Sequence, residues 1–102
     1  MLTRETAIIQ AKAFIEACGQ EGILIDKAIL FGSFAKNQVR EYSDIDIALV
    51  SSQFSNNFIK NNKMTSKINI KFPLIEVHHF NTFYYQNSDP FIEEINATGI
   101  EI

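Results

Sequence analysis

Two aspartates, Asp44 and Asp46, stand two apart in the run Ser43-Asp44-Ile45-Asp46-Ile47, and ten residues separate them from an earlier Gly32-Ser33 pair. On a β-strand, residues two apart leave the same face, with Cα atoms roughly 6.5–7 Å apart. Two carboxylates so placed repel each other and are costly beside a core. A divalent cation turns that repulsion into coordination. Two Mg²⁺ ions roughly 3.5–4 Å apart can clamp the attacking and leaving oxygens of an in-line displacement. The bland alternative is a wet strand face carrying two harmless aspartates, since most carboxylates are exposed. Gly32-Ser33 shifts the balance. Glycine lets the backbone approach a phosphate closely, a following helix start offers free N–H groups, and the serine hydroxyl adds a donor. Alone, that pair is a common turn. Together the two features suit Mg²⁺-dependent chemistry on a nucleoside triphosphate.

Glu76 is a third candidate acid. It alternates with apolar Ile75 and Val77, and an isolated charge in such a run needs a reason. Pairing across a sheet with Asp44 and Asp46 supplies one: Glu76 would share a metal and help take the proton from an attacking hydroxyl. A strand with one wet face is the alternative. Lys36 and Arg40 follow the Gly-Ser turn and are placed to offset the charge of a triphosphate tail. His78 and His79 are adjacent, so on a strand they face opposite ways and cannot chelate one ion together. His78 shares the Glu76 face, which makes it a candidate to line the site, but a surface or packing role is the default reading. Tyr84 and Tyr85 read as packing near the last helix, and Cys18 as a small buried hydrophobe.

The elements that must position these groups follow from pattern. Thr3 is an N-cap with Glu5 in the first turn, and Ile8, Ala11, Ile15 and Cys18 recur at helical spacing, which predicts a helix over residues 4–18 stopped by Gly19. Lys27 to Phe31 reads as a buried strand ending in a tight turn at Gly32. Ser33 caps a short helix over Phe34 to Val39. Ser43 to Val50 is a second strand, with Ile45, Ile47 and Leu49 facing one layer and Asp44, Asp46 and Ala48 the other. Asn-rich residues 51–63 predict a mobile loop leading into a short helix near 57–69. Pro73 to Phe80 reads as a third strand with Pro73 at its first position. Asp89-Pro90 predicts the start of a last helix, Gly99 the residue after its end, and Ile100 to Ile102 a short edge strand. The expected architecture is α/β (α+β): a small mixed sheet with helices packed on it.

A chain of 102 residues predicts a single domain with a small core. Its net charge of −3 argues against direct nucleic-acid binding, which favours a basic stripe. It leaves room for a nucleotide site, because a bound cation supplies local positive charge. The single cysteine excludes an internal disulfide and suits a reducing, cytoplasmic compartment. No signal-peptide pattern and no apolar run of membrane-spanning length is present.

Gly32-Ser33-Phe34-Ala35-Lys36, followed by Ser43-Asp44-Ile45-Asp46-Ile47-Ala48-Leu49, resembles the active-site motif of the nucleotidyltransferase superfamily related to DNA polymerase beta. The short length and the ending Phe91 to Ile102 are similar to the minimal nucleotidyltransferases. The resemblance implies that residues 1–102 form one minimal nucleotidyltransferase domain. It implies that Gly32 and Ser33 hold the β- and γ-phosphates of ATP, while Asp44, Asp46 and Glu76 are the metal-binding catalytic acids. It also implies transfer of AMP to a hydroxyl with release of pyrophosphate. Family members of this size are often antitoxins whose partner is a HEPN-domain toxin, silenced by AMP on a tyrosine. Two departures stand out. Lys36-Asn37 occupies the place of a frequent Arg-Gly, and Glu76 that of a common Asp. The alternatives are a non-catalytic antitoxin that masks its partner, or nucleotidyl transfer to a small molecule such as an aminoglycoside, for which a homo- or hetero-oligomer would supply the added helical domain.

Overall fold

The computed structural model describes residues 3–36 and 44–102. Arg40 and the second half of the expected helix over Phe34 to Val39 lie outside these residues.

Helix α1 spans Arg4–Gln20. Thr3 caps it, accepting from the Thr6 N–H while the Thr6 hydroxyl returns the bond to the Thr3 backbone. The helix passes Gly19, the expected stop. Its end is set by Gly22, whose φ of +84° is a left-handed conformation natural to glycine. The Ile23 N–H donates to the Cys18 carbonyl and the Gly22 N–H to the Gly19 carbonyl, the paired bonds of a Schellman end. Strand β1 is Lys27–Phe31 and β2 is Ile45–Ser51. Helix α2, Phe58–Asn69, is capped by Asn57.

Strand β3 is Ile75–Asn81. Pro73 therefore precedes the strand instead of starting it. Residues 72–74 make a turn closed by the Ile75 N–H on the Phe72 carbonyl, although the Leu74 carbonyl already accepts from Ile45. The sequence reading did not foresee α3, Thr82–Gln86, whose N-cap Asn81 accepts from the Phe83 N–H. Five residues are too few to show a helical period. Helix α4 is Pro90–Thr98, capped by Asp89, and β4 is Ile100–Glu101.

The sheet order is β3-β2-β1-β4. β1 runs antiparallel to both β2 and β4, whereas β2 and β3 are parallel. The strand alternation divides the core into two faces. Leu30, Ile45, Ile47, Leu49 and Ile75 pack with Ala7, Ala11, Phe14 and Cys18 of α1 and Ile68 of α2. Ile29, Phe31, Ala48 and Val50 pack with Tyr85 of α3 and Ile92 and Ile95 of α4. The even-numbered residues of β2 thus point to the α4 side, as the period of two requires. No helix among the described residues is long and apolar enough to cross a membrane.

Candidate active site

The strand register builds the site. Phe31 of β1, Asp46 of β2 and Glu76 of β3 lie side by side in one row across the sheet. This row sits where β1 ends and β2 and β3 begin, on the α4 face. Deeper along the same face the row Ile29, Ala48 and His78 follows. Asp46, Glu76 and His78 each offer one ligand atom, and these atoms lie within 4.8 Å of one another. Asp46 and His78 are partly buried, with 24% and 30% of their side chains exposed, and Glu76 is exposed.

Electrostatics mark Glu76 as the perturbed acid. Partial desolvation, a hydrogen bond shared with Asp46 and the charge of Asp46 raise its pKa above the ordinary value; Asp44 adds to the rise and His78 opposes it. The causes are those of carboxylates gathered at one place without a counter-ion. Asp44 is exposed and lies just before β2. It joins Glu76 and His78 in lining an open groove of about 520 Å³, with Phe58, Asn62 and Leu74 among the other walls.

Gly32 closes the site from β1. Its φ is +77°, and a Cβ there would lie against the Asp46 carboxylate. Only glycine lets the turn come this close to the acid. The turn is closed by the Lys36 N–H on the Gly32 carbonyl at 3.1 Å. Arg4 fastens it to α1, donating from Nη2 to the Ala35 carbonyl at 2.6 Å. Ser33 lies within this turn, half-buried. The Lys36 amine pairs with Glu94 of α4 at 3.1 Å, so reaching a phosphate would require it to leave that partner.

The donor set fits a divalent cation. Carboxylate oxygens suit hard ions such as Mg²⁺, and the repulsion that lifts Glu76 is what such an ion would relieve. The fold therefore gathers Asp46 and Glu76 tightly, with Asp44 and the Gly32-Ser33 turn around them. His78, read from sequence as a surface or packing residue, instead stands 3.4 Å from Asp46 through Nε2. Its period-two relation to Glu76 was the available signal. Arg4 carried no such signal, because nothing in the sequence ties it to Ala35.

Residues 14–102 match the model of the family described as polymerase beta, nucleotidyltransferase. The chain belongs to the polymerase beta nucleotidyltransferase family. No curated protein sequence matches it significantly. Among solved structures, a protein of Sulfolobus solfataricus assigned as a nucleotidyltransferase is similar, with a TM-score of 0.72 at 17% identity, covering 96% of this chain and 80% of that one. A toxin–antitoxin structure with AMP-PNP gives 0.61 at 18% identity, over 87% of this chain and 69% of that one. A minimal nucleotidyltransferase gives 0.61 at 17% identity, over 99% and 97%. At such identities the structures share the fold. This nucleotidyltransferase thus has the mixed sheet its motif implied, with Asp44 and Glu76 on the wall of the groove and Asp46 beside Glu76 in the sheet.

Proposed function

We propose that this chain is a divalent-cation-dependent nucleotidyltransferase that moves AMP from ATP to a hydroxyl of a partner protein, a tyrosine of a HEPN-type toxin. The observation that carries the reading is the Asp46–Glu76 pair in register beneath the Gly32 turn, in a chain of the polymerase beta family. The solved toxin–antitoxin structure of similar fold, which holds AMP-PNP, supports the adenine nucleotide and the protein partner.

Asp44, Asp46 and Glu76 would hold Mg²⁺, which when bound neutralises phosphate charge and polarises the α-phosphate. Backbone N–H groups of the Gly32-Ser33 turn and the Ser33 hydroxyl bind the β- and γ-phosphates. Lys36, once free of Glu94, and Arg40 offset the charge on the triphosphate tail. The acceptor oxygen forms a bond to the α-phosphorus, the bond from that phosphorus to the bridging oxygen breaks, and pyrophosphate leaves. The acceptor proton passes to a carboxylate of the Asp46–Glu76 pair. A protein acceptor is favoured because the groove is open and flanked by exposed Phe58 and Leu74, whereas small-molecule sites are typically enclosed.

Intact-mass spectrometry tests the reading. The purified chain is incubated with ATP, Mg²⁺ and the protein encoded beside it, and both polypeptides are weighed. Whole-AMP increments on the neighbour, absent with Asp44→Asn/Asp46→Asn, are expected. A stable complex without any increment would overturn transfer and favour simple masking of the partner.

A further inference from the structure

His78 occupies a more specific place than a packing histidine needs. The parallel register sets Ala48 beside it on β2, and Ala48 is fully buried with no side chain beyond Cβ. That small neighbour leaves the imidazole room to lean along the sheet toward Asp46. The ring is held edge-on by Phe31, with centroids 4.9 Å apart, and by Phe91 at 6.1 Å. Neither wall offers it a hydrogen-bond acceptor. The 3.4 Å from Nε2 to Asp46 Oδ1 is longer than a charge-assisted bond, which runs to about 2.7–2.9 Å. Neighbouring donors around an octahedral ion with bonds of roughly 2.1 Å stand roughly 3 Å apart. The spacing is therefore one that two ligands of a single ion can adopt with a small inward shift. His79 makes the contrast: its Nε2 is already engaged by the Thr65 hydroxyl at 2.9 Å.

We infer that His78 is a nitrogen ligand of the cation held by Asp46 and Glu76, and that it makes the centre selective for Mn²⁺ over Mg²⁺. The inference rests on the metal-dependent reading above and deepens it by naming the ion. Oxygen-only sites suit Mg²⁺, whereas an imidazole favours first-row transition metals. Of these, Mn²⁺ is the one that, like Mg²⁺, takes carboxylate and phosphate oxygens readily, so it suits both the mixed ligand set and a triphosphate.

Pulsed electron paramagnetic resonance of the full chain loaded with Mn²⁺ alone, paired with Mn²⁺ and Mg²⁺ titrations, tests this. The wild type is expected to show imidazole-nitrogen modulation. His78→Phe keeps the aromatic packing and is expected to lose that modulation, with the Mn²⁺-to-Mg²⁺ affinity ratio falling about tenfold or more. His78→Ala is expected to act likewise, and Asp46→Asn to weaken both ions together. Mn²⁺ binding without nitrogen modulation, or modulation that survives in His78→Phe, overturns the inference and leaves the proposed transferase standing. Failure to bind either ion, with ATP present or absent, overturns both.

Discussion

His78 and His79 are neighbours in sequence and opposites in structure. His79 faces α2, bonded to Thr65 and edge-on to Phe54 at 4.8 Å. Burial first, and then the charge of His78, lowers its pKa to about 4, so it is a neutral, partly buried packing residue. His78 faces the other layer, beside Asp46 and Glu76. One residue type on one strand serves packing on one face and lines the acid centre on the other, and the pleat alone decides which. The same division runs through the sheet. The α1–α2 face is an apolar core in which Phe14, Leu30 and Ile47 have no exposure. The α4 face is apolar around Ile29, Ala48 and Val50 and turns polar toward its rim, where His78, Asp46 and Glu76 replace hydrophobes. Stability should therefore respond chiefly to one face, and activity to the rim of the other.

The largest expected effect lies in the core. Phe14→Ala removes a fully buried ring that packs edge-on against Phe72 at 5.5 Å, and should cost about 3–5 kcal/mol of stability. Denaturant unfolding measures this, and a small loss would break the assignment of the α1–α2 face as the main core. Asp46→Asn should do the reverse. It should lower nucleotide transfer by roughly 10²–10³-fold, while the melting temperature holds or rises because Glu76 loses a repelling neighbour. Gly32→Ala should affect both properties. The positive φ and the approach to Asp46 predict a loss of about 1–3 kcal/mol from backbone strain, together with a fall in transfer. A variant equally stable and active would show that the turn does not need its glycine.

The smallest effect is a pH dependence from His79. Its folded pKa lies below its unfolded value, near 6.5, so the unfolded chain binds the extra proton between pH 4 and 6.5. Stability from this group should rise with pH across that window and stay flat above it. Comparing unfolding curves of the wild type and His79→Gln from pH 4 to 8 isolates the term. A wild-type slope identical to the variant's would contradict the buried, neutral assignment.

Much of this division was legible in the chain. The alternation through Ile45 to Val50 predicted which β2 residues face which layer, and the Asp89-Pro90 signal fixed the start of α4 because capping chemistry is local. The Thr3 cap was equally readable. Local signals failed where the outcome depended on distant partners. Gly19 looked like the end of α1, but Gly22 holds the left-handed backbone. The start of β3 depended on a turn at residues 72–74, and α3 was too short to announce itself. In the candidate site, the Asp46–Glu76 row follows from strand pairing that no single segment encodes. The pairing of Lys36 with Glu94 and of Arg4 with Ala35 joins residues 58 and 31 positions apart, so only the folded chain reveals either.

The central claim is that the acids beneath the Gly32 turn direct transfer of the nucleotide. The most direct test compares ATP labelled at the α-phosphate with ATP labelled at the γ-phosphate, each incubated with the chain, the divalent cation and the partner protein. The account predicts that only the α-label reaches the partner, and that Asp46→Asn slows its arrival by roughly 10²–10³-fold. Label arriving from the γ-phosphate, or α-label arriving at the wild-type rate in Asp46→Asn, would contradict it.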